Sequence, residues 1–107
     1  MQRLSFILKV REDRIEDYKR DHRHVWPEML DALRRVGWKN YSLFMRKDGL
    51  LFGCFEFEGD LQAAMARMAE EEVEARWRAA MAPYFETPDG VPAGQIMLEL
   101  EEVFRLD

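Results

Sequence analysis

Asn40-Tyr41-Ser42-Leu43-Phe44-Met45-Arg46-Lys47-Asp48-Gly49-Leu50-Leu51-Phe52-Gly53-Cys54-Phe55-Glu56-Phe57-Glu58 is the stretch on which the fold turns. Tyr41, Leu43 and Met45 alternate with Ser42, Phe44 and Arg46, so Asn40 to Lys47 reads as a strand. Lys47-Asp48-Gly49 carries the Asp-Gly pair of a tight hairpin, where positive φ is needed. Leu50 to Glu58 is then the returning strand. Upstream, Leu4, Phe6, Leu8 and Val10 alternate with Ser5, Ile7 and Lys9 in another strand. From about Glu12 to Val36 the period changes. Ile15, Tyr18, His22, Trp26, Met29 and Leu33 fall within an arc of about 80° on a helical wheel. Pro27 cannot donate to the residue four back, which predicts a kink or restart near Trp26. Gly37 is a stop. Downstream, Asp60 can cap a helix beginning at Leu61. Its pattern runs through Val73, Trp77 and Met81, with a break expected near Glu70-Glu71-Glu72. Pro83 to Gly94 reads as a loop, and Leu98 to Leu106 alternates as a last strand.

The order is β-α-β-β-α-β, which predicts a ferredoxin-like α+β fold: an antiparallel sheet covered by helices on one face. The strands are nevertheless apolar on both sides. Leu4, Phe6 and Leu8 oppose Ile7; Leu51, Phe55 and Phe57 oppose Leu50, Phe52 and Cys54. A second copy of the sheet is the simplest cover for the remaining face, so a homodimer with opposed sheets is expected.

The 107 residues suit one domain over 1–107, with no internal repeat or linker. Apolar residues at 48% supply a core and argue against disorder. The net charge of -5 argues against a nucleic-acid phosphate binder. The longest charge-free stretch, Gly90 to Leu98, is far too short to span a bilayer, so no membrane partner is expected. The N-terminus lacks the apolar run of a secretory leader. Cys54 stands alone, which rules out an internal disulfide and suits a reducing cytoplasm.

No Gly-rich phosphate loop, His-Glu-x-x-His or Cys-x-x-Cys is present, and two His with one distant Cys give no metal cluster. Neither Ser5 nor Ser42 sits in a nucleophile elbow. What stands out is Tyr18-x-x-x-His22-x-x-x-Trp26-Pro27-Glu28. Spacing of four stacks Tyr18, His22 and Trp26 on the core-facing side of the first helix. His24 falls on the opposite side. A histidine gives and takes protons near neutral pH, and aromatic neighbours line small-ligand pockets. Spacing alone favours a hydrogen-bonded core histidine over a catalytic one. Tyr41 and Trp77, each taken singly, read as core packing. The glutamates at 70, 71, 72 and 74 read as a solvated face. Glu102 interrupts the last alternation, as an inward carboxylate or an edge residue.

With those residues in view, the chain resembles the L-rhamnose mutarotases over nearly its whole length. The resemblance rests on Tyr18-x-x-x-His22, Trp26-Pro27-Glu28, Asn40-Tyr41, Arg76-Trp77, Pro88-Asp89, Pro92 and Glu102-Val103-Phe104. It implies a dimeric α/β barrel built on the ferredoxin-like fold, and a cofactor-free isomerase, an aldose 1-epimerase acting on L-rhamnose. It also implies His22 as catalytic proton donor, with Tyr18, Tyr41 and Trp77 binding the sugar. One departure stands out: the family carries a tryptophan pair where this chain has Trp77 followed by Arg78.

Mutarotation removes the anomeric hydroxyl proton, protonates the ring oxygen and recloses on the other face, so general acid–base groups suffice. One histidine fills one of these roles at a time. A water, a tyrosine or Glu102 is left for the other. Two other readings stand beside this one, because a fold does not dictate chemistry: a cofactor-independent oxygenase on the same dimeric barrel, and a non-catalytic dimeric binding module.

Overall fold

The computed structural model describes residues 1–86 and 97–106. Its order is β1 (Gln2–Lys9), a 3-10 turn (Glu12–Arg14), α1 (Ile15–His22), α2 (Pro27–Val36), β2 (Lys39–Met45), β3 (Leu50–Phe57), α3 (Leu61–Ala69), α4 (Glu72–Met81), a second 3-10 turn (Ala82–Tyr84) and β4 (Leu98–Leu100). The strands lie β2-β3-β1-β4, each pair antiparallel. This is the ferredoxin-like α+β arrangement that the alternating and helical periods predict.

Local chemistry sets the breaks. Trp26 is extended and Pro27 opens α2, so the first helical stretch is two helices meeting where the proline demands it. Gly37, at φ 107°, closes α2 in the left-handed conformation that glycine adopts without penalty. The Asp60 side chain accepts from the Ala63 amide at 2.8 Å and starts α3. Glu70 and Glu71 separate α3 from α4, as the acidic cluster predicts.

The core forms where the helices meet one face of the central strands. Leu4, Phe6 and Leu8 of β1 pair with Phe55, Gly53 and Leu51 of β3. Met29, Ala32 and Val36 of α2 and Ala64 and Met68 of α3 belong to the same buried cluster. Phe6 is wholly buried, and a Cβ on Gly53 would lie 2.2 Å from its ring. The missing side chain at 53 is therefore the space that the Phe6 ring fills.

Two expectations need correction. Pro83 to Tyr84 lie within a 3-10 turn rather than an open loop, and Phe85 bridges to Val10. Tyr84 anchors this segment by donating to Asp21 Oδ2 at 2.6 Å. The remainder of the expected loop, with Pro88, Asp89 and Pro92, lies outside the described residues. The last strand covers only Leu98–Leu100 instead of continuing to Leu106. Pairing with β1 ends at Ser5 opposite Leu100, and the same register carried on would pass the start of the chain before Leu106. Alternation marks apolar faces, but a strand also needs a neighbour.

The other sheet face is open and apolar, as expected. Phe44, Phe52 and Leu98 are 62%, 37% and 48% exposed. Val103, Phe104 and Leu106 beyond β4 are each at least 80% exposed.

Gly53→Ala is expected to overpack the Phe6 site and cost about 1–3 kcal/mol. Urea denaturation checks this: the midpoint should fall with little change in slope.

Candidate active site

The break between α1 and α2 turns the aromatic stripe toward α4. Tyr18 and His22 lie one turn apart on α1, their rings stacked with centroids 4.0 Å apart. Trp77 of α4 meets His22 edge to face at 5.3 Å and Trp26 at 5.0 Å. Two ion pairs tie this region to α2: Arg76 of α4 with Glu28 at 2.9 Å, and Arg35 with Glu71 just before α4. Both are exposed and weak singly, so they orient the helices more than they stabilise them.

His22 is half-buried, and its Nδ1 lies 3.0 Å from the Tyr18 carbonyl oxygen. A carbonyl only accepts, so Nδ1 carries the proton, and in the neutral ring Nε2 keeps its lone pair. Burial pushes the His22 pKa below the ordinary 6.5, against the smaller opposing effects of the Tyr18 carbonyl and Asp21. Tyr18 and Tyr41 are driven the other way, since burial raises both phenols. The Tyr41 residue is 37% exposed, yet its hydroxyl is the sheltered part. Tyr41 adds a smaller electrostatic effect to the shift of Tyr18, so the two phenols feel each other. At neutral pH the cluster holds one proton acceptor and two persistent donors.

Tyr41 reaches this cluster through a bulge. Lys39 pairs with Glu56, but Ser42 pairs with Cys54, so β2 has one extra residue between them. Asn40 takes it, at φ 50°, and donates from Nδ2 to Glu56 Oε1 at 2.9 Å. Without the extra residue Tyr41 would lie opposite Cys54 on the open face. With it, Tyr41 packs by Phe6, Trp38 and Phe55 on the helix side.

Tyr18, His22, Tyr41 and Trp77 are thus brought together, and His24 is exposed. Glu102 is not among them; it is exposed and pairs with Arg105 at 3.2 Å. Arg78 is largely exposed and lies 3.6 Å from Glu74. Glu74 itself corrects the sequence reading, being only 8% exposed. It stands seven residues before the buried Met81, a spacing that places both on one helix face. Two open surface depressions lie elsewhere, one at Arg11, Glu12, Asp13 and Glu86, the other at Glu28, Asp31, Arg35, Glu71, Glu72, Val73 and Arg76. Both are rimmed by charge and lack the aromatic faces of the cluster. Among the described residues no three His, Cys, Asp or Glu gather as metal ligands, and no helix is long and apolar enough to cross a membrane.

A family model described as L-rhamnose mutarotase matches residues 3–106. The chain belongs to the L-rhamnose mutarotase family. It is 37% identical to the L-rhamnose mutarotase of Bacillus subtilis (strain 168), with 100% of both sequences covered. The L-rhamnose mutarotase of Pectobacterium carotovorum subsp. carotovorum (strain PC1) is also 37% identical over 100% of both. The crystal structure of an L-rhamnose mutarotase from Formosa agariphila matches all of both chains with a TM-score of 0.81 at 28% identity. A putative antibiotic biosynthesis monooxygenase from Nitrosomonas europaea shares the fold, with a TM-score of 0.61 at 14% identity, covering 96% of this chain and 100% of its own.

Asn40→Ala should cost about 1–2 kcal/mol, because alanine resists the left-handed conformation. Asn40→Gly should cost less, since glycine adopts it freely. Denaturation of the two variants in parallel measures the difference.

Proposed function

We propose that this member of the family interconverts the α and β anomers of L-rhamnose, in the cytoplasm and as a homodimer. Membership of the mutarotase family favours that isomerase activity over the oxygenase and over a binding module. The observation that carries the mechanism is the Nδ1 contact of His22 with the Tyr18 carbonyl. It leaves Nε2 as a base inside an aromatic cluster suited to a neutral, polyhydroxylated substrate.

His22 Nε2 takes the proton of the anomeric hydroxyl. As C1=O1 forms, the bond from C1 to the ring oxygen breaks. The ring oxygen takes a proton from a phenol, Tyr18 or Tyr41, whose raised pKa keeps that proton in place until it is needed. Rotation about C1–C2 presents the other face of the aldehyde. On closure the imidazolium returns its proton to O1 and the phenolate recovers its own. The resemblance casts His22 as a proton donor, and in this cycle it donates in the closing half. Trp77 and Trp26, at right angles to each other, offer flat apolar surfaces to the sugar ring.

Saturation-transfer NMR on L-rhamnose tests the activity directly. His22→Ala should slow catalysed exchange by about 10²–10⁴-fold, and His24→Ala should change it little. Melting curves recorded alongside separate lost chemistry from lost folding. Wild-type exchange from a folded His22→Ala protein would refute the assignment. The pH profile follows from the depressed His22 pKa: acid protonates Nε2 and removes the base. Exchange should therefore decline only as pH falls below 6.5, and stay level above it.

The exposed apolar face supports the homodimer. Phe44 and Phe52 lie 6.4 Å apart on it, and the tail residues Val103, Phe104 and Leu106 are uncovered. Sedimentation at micromolar concentration should give a dimer, and Phe44→Glu should shift it toward monomer. A wild-type monomer throughout that range counts against the assembly.

A further inference from the structure

Among the described residues, two buried side-chain polar atoms lack a hydrogen-bond partner: Glu74 Oε2 and Trp38 Nε1. Trp38 borders the aromatic cluster, and Glu74 stands on the helix that carries Trp77. The Trp38 ring lies 5.0 Å from that of Tyr41. Glu74 precedes Trp77 by three residues, which places it one turn away on the same helix face. A buried carboxylate oxygen without a donor is costly, and native proteins keep such groups where a ligand or function completes them. Arg78 meets the other oxygen, Oε1, at 3.6 Å and is largely exposed. The guanidinium thus supplies a counter-charge at the rim, and Oε2 remains the sheltered acceptor.

The two orphaned atoms are complementary, one an acceptor and the other a donor. A hydroxyl both donates and accepts, so the hydroxyls of a polyhydroxylated molecule suit either atom. We infer that Glu74 is a specificity-determining residue: its Oε2 accepts a hydrogen bond from a hydroxyl of the bound sugar, and Trp38 Nε1 donates to another sugar oxygen. This inference rests on the proposed function. A site built to pair with a hydroxyl rejects the analogue lacking it, because the buried partner is then left unpaired. Glu74 therefore selects for a hydroxyl at one position, whereas the indoles of Trp26 and Trp77 read only a flat face.

The test uses Glu74→Gln, which keeps the shape and removes the charge, and Trp38→Phe, which keeps the ring and removes the N–H. Exchange rates are measured against concentration for L-rhamnose and its monodeoxy analogues. Glu74→Gln should raise KM for L-rhamnose roughly ten- to hundredfold with little change in kcat. One monodeoxy analogue should lose against wild type what the variant loses, and the two losses should not add. The variant's melting temperature should match or exceed that of wild type, because a poorly paired buried charge has gone. Trp38→Phe should raise KM in the same sense for a different position of the sugar. A folded Glu74→Gln protein with wild-type KM overturns the inference, whatever its melting temperature. Wild type that exchanges L-rhamnose while the variant matches it refutes this assignment alone. Wild type without exchange refutes the proposed function, and this inference with it.

Discussion

A single sheet has two faces, and the helices between its strands cover only one. Everything else in this structure answers to that constraint. The covered face takes Leu4, Phe6, Leu8, Leu51, Phe55 and Phe57, all under 9% exposed. The side chains that alternate with them, Ile7, Phe52 and Phe44 among them, are left on the far side. The helix layer then provides both the core and the aromatic cluster, and it does so by being broken twice. The gap after His22 turns Trp26 inward, and the gap before Glu72 lets α4 lie across it with Trp77. An uninterrupted pair of helices would cover the sheet equally well without bringing Trp26 against Trp77.

One physical cause, burial, acts on both sides of the proposed proton transfer. Desolvation disfavours the charged form of any group, so it lowers the pKa of an imidazole and raises that of a phenol. His22 becomes a neutral acceptor and Tyr18 and Tyr41 become persistent donors in one environment. No second charge has to be placed to achieve this. A charged acid–base pair in the same buried place would have needed counter-ions.

The sequence makes legible whatever depends on periodicity. Strand alternation, the proline break, the Gly37 stop and the Tyr18-His22-Trp26 stripe are all visible in it. The bulge is less so. Asn40 belongs to a recognisable motif, but that it shifts β2 by one residue depends on the partner strand, which no single-strand pattern contains. The length of β4 escapes for the same reason, since pairing with β1 ends at Leu100 although Phe104 and Leu106 continue the alternation. Glu74 escapes for a different one. Glutamate beside three other acidic residues reads as solvated, because composition outweighs the seven-residue spacing that links it to Met81.

The position of Glu74 has a consequence for how the cleft relates to the open face. Glu74, Trp38 and the tyrosines all lie on the helix side of the sheet or within the helix layer, and Phe44, Phe52 and Leu98 lie on the other. Among the described residues, the buried side-chain polar atoms awaiting partners are therefore on one side, and Phe44, Phe52 and Leu98 are on the other. The two demands call for different partners. Apolar area is relieved by another apolar surface, without directional matching, whereas an orphaned carboxylate needs a donor in a fixed place. A second copy of the sheet answers the first and does nothing for the second; a sugar does the reverse. Separation across the sheet would let the proposed assembly and the proposed substrate binding proceed without competing for the same surface, because the two faces of a single-layer fold never meet.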